Sequence, residues 1–473
     1  MESLPQLLGA ASVGVHGAIA APTGSLRELI SKLYWNTYTL WHARRESKLP
    51  YLPLDQILVM RDRRFRGMVE HAYRTVPFYR SLLDDLRLVP GDLKTADELA
   101  KLPVVTGRDL AEQPLEFLSN KYSVDETLEL STTGTTGQFK RIFFDSAALF
   151  QARAAGLRKR HALVRILGQS GTYRELSVAR EGGTFPVIRG FYRDRSWTPQ
   201  RFDLNRASIS PADSFAKNIE AINTFQPDVI VGFGAYIGAI FRFALENDLE
   251  IFRPKAIHYG GDTLRAPDGR LIKEEYRIPV VSSFQTCEAL NIAFQCENRE
   301  GFHISLDQVA VRVVDGQGRD LVPGTSGDLV VSNLTNRATV LLNYRLGDKV
   351  TLATEPCPCG RTLPLIETLD GRSEDLILRP GGELAHESVI LSQLYDAPGL
   401  LLLQLEQLEL QRFVLRVVSR RDVEWSETES YLDRTLRAVL GAGDTVALTI
   451  DRVDDIPCEP SGKFKAIRSA CTG

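Results

Sequence analysis

Residues 131 to 137 read Ser-Thr-Thr-Gly-Thr-Thr-Gly, the sharpest chemical signal in the chain. Gly134 and Gly137 allow tight backbone turns in which several N–H groups converge on one anion. Ser131, Thr132, Thr133, Thr135 and Thr136 add hydroxyl donors. A phosphate group is the natural guest. The spacing is not that of the usual P-loop, which sets four residues between its glycines and follows them with Lys-Ser/Thr. Alone, the run is equally an ordinary polar turn.

A second constellation is Cys296, His303, Cys357 and Cys359. Three sulfurs and one imidazole are enough for closed tetrahedral coordination of Zn2+. The Cys-X-Cys spacing is tighter than that of common zinc fingers, and four unlinked buried residues is the competing reading. A closed ligand set would clip the surrounding strands together, a structural rather than a catalytic role.

These residues need elements to hold them. The first hundred residues read as mainly helical, punctuated by Pro77 and Pro103. Arg61, Arg63, Arg64 and Arg66 lie on a helical pattern whose apolar positions are Phe65, Met68, Val69, Ala72 and Val76, which reads as a solvated face on a packed helix. From Val229 the period changes. Strands at Val229 to Gly234, Ala256 to Tyr259 and Pro279 to Phe284 alternate with helices around Ile237 to Leu245 and Arg270 to Tyr276, the pattern of parallel βαβ units. Ligands on such sheets bind beyond the carboxyl ends of the strands. That points to Gly260, Gly261, Asp262 and the run Gln285 to Glu288.

After residue 300, His303 to Asp315, Gly327 to Leu334 and Thr339 to Arg345 read as strands of a mainly antiparallel sheet or small barrel. The last hundred residues form a smaller α+β pattern: strands at Leu400 to Leu410, Arg412 to Val418 and Thr445 to Ile450, and a helix at Thr428 to Leu440.

With 473 residues, 43% hydrophobic and 25% charged, the chain suits several folded units and not wholesale disorder. Its net charge of −3 has no segregated basic tail, which argues against nucleic acid as a partner. No run reaches the length of a bilayer span, and the start, carrying Glu2 where a secretory signal has basic residues, points to the cytoplasm.

Further motifs follow the glycine–threonine run: Tyr344-Arg345-Leu346-Gly347-Asp348, then Gly371-Arg372-Ser373-Glu374-Asp375, then Pro460-Ser461-Gly462-Lys463. Their order and spacing resemble the adenylate-forming superfamily of acyl-CoA synthetases, luciferases and peptide-synthetase adenylation domains. Val76-Pro77-Phe78-Tyr79-Arg80, Leu102-Pro103-Val104-Val105, Cys296 with His303, and Cys357-Pro358-Cys359-Gly360-Arg361 narrow the resemblance to the phenylacetate-CoA ligase family and its CapK-like capsule-biosynthesis relatives. It spans residues 55 to 468.

The resemblance implies an α/β fold: a large N-terminal domain with parallel βαβ sheets plus a small antiparallel β subdomain, and a small mobile α+β C-terminal domain. The boundaries expected are 1–371, with the zinc-clipped β subdomain at 296–370, and 372–473. The implied reaction is ATP-dependent activation of a carboxylic acid to an acyl-adenylate, followed by transfer to the thiol of coenzyme A. A carrier-protein thiol, an amine or another small acceptor stays open, as do a catalytically silent nucleotide-binding homologue and a homodimer.

By the same resemblance, Thr132 to Gly137 would cradle the β- and γ-phosphates, and Glu288 would help hold Mg2+. Asp348 would accept from the ribose hydroxyls, Arg372 would lie near ribose and phosphate, and Lys463 would reach the carboxylate and α-phosphate. Gly260, Gly261, Asp262, Ser283, Phe284, Gln285, Thr286 and Cys287 would line the nucleotide side of the site. Phe233, Tyr236, Tyr259, Gly260 and Phe284 would line the pocket for an aryl, arylacetic or aliphatic acid. Departures from the common pattern are Gln138 in place of a lysine, with Lys140 and Arg141 close by, together with Gln285, Cys287 and Asp262.

Overall fold

Short apolar runs alternating with helices build the centre of the molecule. In the computed structural model the described residues are 26–133, 139–168, 173–180, 182–197, 205–372, 376–441, 446–456 and 464–471. A few side chains inside those ranges, those of Thr132, Thr133 and Arg372 among them, lie outside the description. Gly134, Thr135, Thr136, Gly137 and Lys463 are also outside it.

β1 (Leu128–Thr133), which includes the first three residues of the glycine–threonine run, pairs antiparallel with β2 (Phe139–Phe144). The strands that follow are β3 (Glu175–Val178), β4 (Arg206–Ile209), β5 (Val229–Gly232), β6 (Ala256–Gly260) and β7 (Val280–Thr286). β8 (Leu290–Phe294), β9 (Phe302–Ile304), β10 (Val309–Val314), β11 (Ser326–Asn333), β12 (Tyr344–Leu352) and β13 (Leu365–Arg372) complete one 11-stranded sheet, ordered β10-β11-β12-β13-β9-β8-β7-β6-β5-β3-β4. From β4 to β7 the neighbours run parallel, and from β7 to β10 they run antiparallel. The antiparallel strands thus continue the parallel sheet and do not close into a barrel.

The parallel half follows from its sequence. Helices Phe215–Phe225, Gly234–Glu246 and Ala266–Glu274 cross over between strands and bury Ile219, Ile222, Ile237, Ile240, Phe241, Leu271 and Ile272 against β3, β5 and β6. Helix Ser146–Ala155 starts at Asp145, whose side chain accepts from the Ala148 N–H at 2.9 Å.

Three local expectations are corrected. His303 to Asp315 is two strands, because Ser305 to Gln308 turns, with Gln308 N–H bonded to Ser305 O at 2.7 Å. Strand β12 begins only at Tyr344. The apolar residues before it are buried by packing, not by strand pairing, and Asn343 takes φ +55° while its amide donates to the Leu102 and Pro103 carbonyls. The arginine face on helix Leu54–Thr75 is not simply solvated: Arg61 is 8% exposed and paired with Asp62, and Arg64 donates to the Asp307 carbonyl.

After Arg372 the core changes. Ile377 and Ala385, from β14 (Leu376–Leu378) and β15 (Leu384–His386), pack with the C-terminal strands rather than with the large sheet. There β16 (Leu400–Glu409), β17 (Arg412–Ser419), β18 (Ala447–Arg452) and β19 (Ile467–Ser469) form a sheet ordered β18-β17-β16-β19, covered by helix Trp425–Leu440. Buried Gln407 holds the β14–β15 hairpin to this body by bonding both polar backbone atoms of Leu378.

Candidate active site

Lys140 is the residue that ties the site together. It follows the glycine–threonine run on β2, and its Nζ lies 3.4 Å from Glu288 Oε1 and 3.1 Å from the Tyr344 hydroxyl. The two side chains of the ion pair are 12% and 10% exposed. Glu288 sits in the turn between β7 and β8, and its carbonyl accepts from Asn333 Nδ2 at 3.1 Å. The strand leaving the run, the turn after β7 and the start of β12 therefore meet around one cation and one carboxylate.

Farther along β12, Asp348 stands opposite Arg372 of β13 in the sheet register. Direct cross-strand partners lie about 5 Å apart, so two motif residues distant in sequence share one place. Gly347 beside them takes φ +87°, a conformation that favours glycine.

At the carboxyl ends of the parallel strands, Gly260 closes β6 where an added Cβ would meet the Ser283 carbonyl at 2.9 Å. Gly261 follows with φ +83° against the Phe233 ring. Asp262 caps helix Gly234–Glu246 from outside: its carboxylate accepts from Gly234 N–H at 2.5 Å and Ala235 N–H at 3.1 Å. An anion there is favoured by the helix's positive end. Tyr259 lies beside this turn. Burial raises its phenol above the ordinary value, against a lowering hydrogen bond from Ser282, so it stays protonated at neutral pH.

Other expected residues separate. The run Ser283 to Cys287 carries a register shift between Phe284 and Gln285 and leaves the strand after Thr286, and its side chains have different partners. Ser283 Oγ is 2.8 Å from His258 Nε2 inside the molecule, and burial, reinforced by Lys159, pushes that imidazole down to about 3. Gln285 bonds Asn291 at 2.6 Å, whereas Phe284 packs on the main core. The Thr286 hydroxyl accepts from Ala289 N–H, and Cys287 Sγ lies 3.7 Å from Thr184 Oγ1. Tyr236 is 7% exposed in the core, its hydroxyl bonded to Asn218 and its ring 5.4 Å from Phe215. Ser131 is exposed within β1.

Sequence reasoning noticed Lys140 only as a neighbour of Gln138. The available signal was the period of a strand, which returns a side chain to the same face every second residue. Arg141 points elsewhere and pairs with Glu129 through two contacts of 2.8 Å.

The cysteines and histidine do converge. One ligand atom from each of Cys296, His303, Cys357 and Cys359 lies within 4.8 Å of the others. The Cys296 and Cys357 sulfurs are 3.7 Å apart, and Cys359 Sγ is 3.3 Å from His303 Nε2. His303 Nδ1 faces the Leu363 carbonyl at 3.3 Å, the contact that leaves Nε2 available as a ligand. Arg361 N–H donates to Cys359 Sγ at 3.5 Å. The donor set and its supporting bonds fit Zn2+.

No family model matches the chain. Protein CapK of Staphylococcus aureus is 22% identical over 417 residues, covering 86% of this chain and 88% of that protein. The phenylacetate-coenzyme A ligase of Thermus thermophilus is 24% identical over 352 residues, covering 71% and 75%. That of Escherichia coli is 23% identical over 341 residues, covering 69% and 74%. Among solved structures, a 2-hydroxyisobutyryl-CoA ligase in the postadenylation state superposes with TM-score 0.73 at 19% identity, over 89% of this chain and 91% of that one. The same ligase in its thioesterification state gives 0.59 over the same 89% of this chain. The fold is that of the adenylate-forming enzymes.

Proposed function

We propose that this chain, a member of the adenylate-forming superfamily and a relative of the phenylacetate-CoA ligase and CapK-like proteins, activates a small carboxylic acid with ATP and passes the acyl group to coenzyme A. The observation that carries this reading is the contact of Lys140 with Glu288 and Tyr344, which brings the strand leaving the glycine–threonine run, the turn after β7 and the start of β12 together. A carboxylate is already a nucleophile at neutral pH and needs no general base. It must instead approach a polyanion, so the protein's task is positioning and charge neutralisation.

On this reading the run Thr132 to Gly137 receives the outer phosphates, and Lys140 turns from Glu288 toward them. Glu288 then helps hold Mg2+, which supplies charge to the phosphate oxygens. Asp348 and Arg372, opposed across two strands, take the ribose and the phosphate near it. Lys463 approaches the acid and the α-phosphate. Phe233, Tyr259 and the glycine turn at Gly260 border the acid, and the aromatic rings suit an aryl or arylacetic substrate. Cys296, His303, Cys357 and Cys359 would hold a structural Zn2+. Among the described residues no helix is long and apolar enough to cross a membrane, and a cytoplasmic enzyme is proposed.

The test is ATP–pyrophosphate exchange across a panel of carboxylic acids, then product analysis with and without coenzyme A. Exchange with an acid, and a thioester only when coenzyme A is added, is the expected result. Lys463→Ala and Lys140→Ala should each slow exchange about 10²-fold, the usual loss for one charge-stabilising donor. Absence of exchange with every acid would remove the enzymatic reading, and an adenylate passed only to another acceptor would correct the second step. Purified protein should carry stoichiometric zinc; full activity without zinc would sink the structural-metal assignment.

A further inference from the structure

One contact between the large N-terminal body and the C-terminal body stands apart from the exposed ion pairs around it. The guanidinium carbon of Arg265 lies 4.0 Å from the ring centroid of Phe464. Arg265 is 6% exposed and is held from beneath: Nη2 donates to the Ala235 carbonyl at 3.2 Å, and Nε lies 3.3 Å from Asp268 Oδ2. Asp268 is itself clamped by Arg242 at 2.6 Å. Ala235 gives its N–H to Asp262, so Arg265 is fixed to the same helix start that shapes the strand-end turn.

Phe464 is equally fixed to its own body. Gln404 Nε2 donates to the Lys465 carbonyl at 2.8 Å, Leu405 N–H donates to the Ala466 carbonyl at 2.8 Å, and the Phe464 ring packs against the C-terminal core. Phe464 is also the residue that follows Lys463. A rigid cation on one body therefore meets a rigid ring on the other, next in sequence to the lysine that the first half-reaction needs.

We propose that Arg265 is a positioning residue of the adenylation step. It docks the Phe464 ring and so holds the end of the segment carrying Lys463 beside the strand-end site. It touches no reacting atom. When the C-terminal body moves for thiol transfer, this contact parts. A partly desolvated cation–ring pair is strong enough to bias an arrangement and weak enough to release. The inference rests on the functional reading above.

The experiment uses the full chain and measures the half-reactions separately: ATP–pyrophosphate exchange, and thioester formation from a supplied acyl-adenylate and coenzyme A. Arg265→Ala and Phe464→Ala should each lower exchange on the order of tenfold, the scale of one partly desolvated cation–ring contact. Thioester formation should stay within about twofold of the parent. Arg265→Lys keeps a cation and should recover part of the exchange. The double variant should be no worse than the poorer single one. Equal losses in both half-reactions, additive losses, or unchanged exchange would each overturn the proposal.

Small-angle scattering of the resting protein gives a readout independent of turnover. The distance distribution should broaden in Arg265→Ala and Phe464→Ala and stay near the parent in Arg265→Lys. Identical curves for all four proteins would overturn the docking role even if no acid supported exchange, whereas absent exchange in the parent would strike only the functional reading.

Discussion

Two sets of ion pairs in this molecule have opposite character. Inside the large body, Arg158 bonds Glu46 at 2.5 Å and grips both oxygens of Asp307 at 2.7 and 2.9 Å, with side chains 1%, 5% and 1% exposed. Between the bodies, Arg270–Asp396 is 45% and 65% exposed, and Arg420–Glu275 is 36% and 48% exposed. The first set ties the N-terminal helix Leu26–Glu46 to helix Leu157–Leu167 and the turn before β10, and cannot be opened without stranding a charge. The second exchanges protein contacts for water at little cost. If the C-terminal body moves as proposed, it needs the second kind at its boundary and the first kind inside.

The largest effect should come from breaking the buried set. Burial pushes the Asp307 carboxyl up, but the charge and hydrogen bonds of Arg158 hold it below the ordinary range, so it is ionised at neutral pH. Asp307→Ala would leave Arg158 facing Glu46 alone and should cost about 3–5 kcal/mol, read as a lower denaturant midpoint at unchanged slope. A loss below about 1 kcal/mol would erase the distinction between the two sets.

A middle effect is set by pH. Burial disfavours the charge of His258 and holds its imidazole down to about 3 in the folded protein, against an ordinary value of 6.5. The unfolded chain therefore binds the proton first. Stability is full above pH 6.5 and falls as pH drops toward 3. From pH 7 to 5 this one group should account for about 2 kcal/mol of lost stability. His258→Gln should flatten the fall by that amount in denaturant titrations at the two pH values. At the boundary, Asp422 is held below its ordinary value by Arg420 and stays ionised through the same window. Acid should thus weaken the inside of the large body while the Arg420–Asp422 pair beside the boundary stays intact, and an unchanged slope in the variant would break that contrast.

How much of this was legible beforehand depends on distance along the chain. The βαβ rhythm from Val229 to Phe284 announced the parallel strands, because each strand and crossover is a local pattern. The cysteines and histidine announced a ligand set through their chemical types alone, although only the structure brings them within 4.8 Å. The Arg158 set was silent, since Glu46, Arg158 and Asp307 sit in three unrelated local patterns and nothing in any of them signals the others. Lys140 was noticed only as a neighbour of Gln138, although a strand returns a side chain to the same face every second residue, and Ser283, read as part of the nucleotide side, bonds His258. Tyr236 was read as pocket-lining from its place after β5; its contacts with Phe215 and Asn218 come from a neighbouring helix, which no local pattern signals.

The smallest effect tests the boundary itself. Glu275→Gln removes the carboxylate that faces Arg420 at 3.2 Å but leaves Arg420 paired with Asp422 at 2.9 Å. Global stability should therefore change by less than about 1 kcal/mol. The arrangement of the bodies should respond more than the stability does. Raising salt from about 0.05 to 0.5 M shortens the screening length to a few ångströms and should loosen the parent's scattering profile. The variant should begin part of the way there and respond less to salt. The buried set should ignore the same change, because its charges exclude the screening ions. If the parent's profile were indifferent to salt, the bodies would be held by Arg265–Phe464 and packing alone, and the exposed pairs would be ornaments of the surface rather than the releasable part of the boundary.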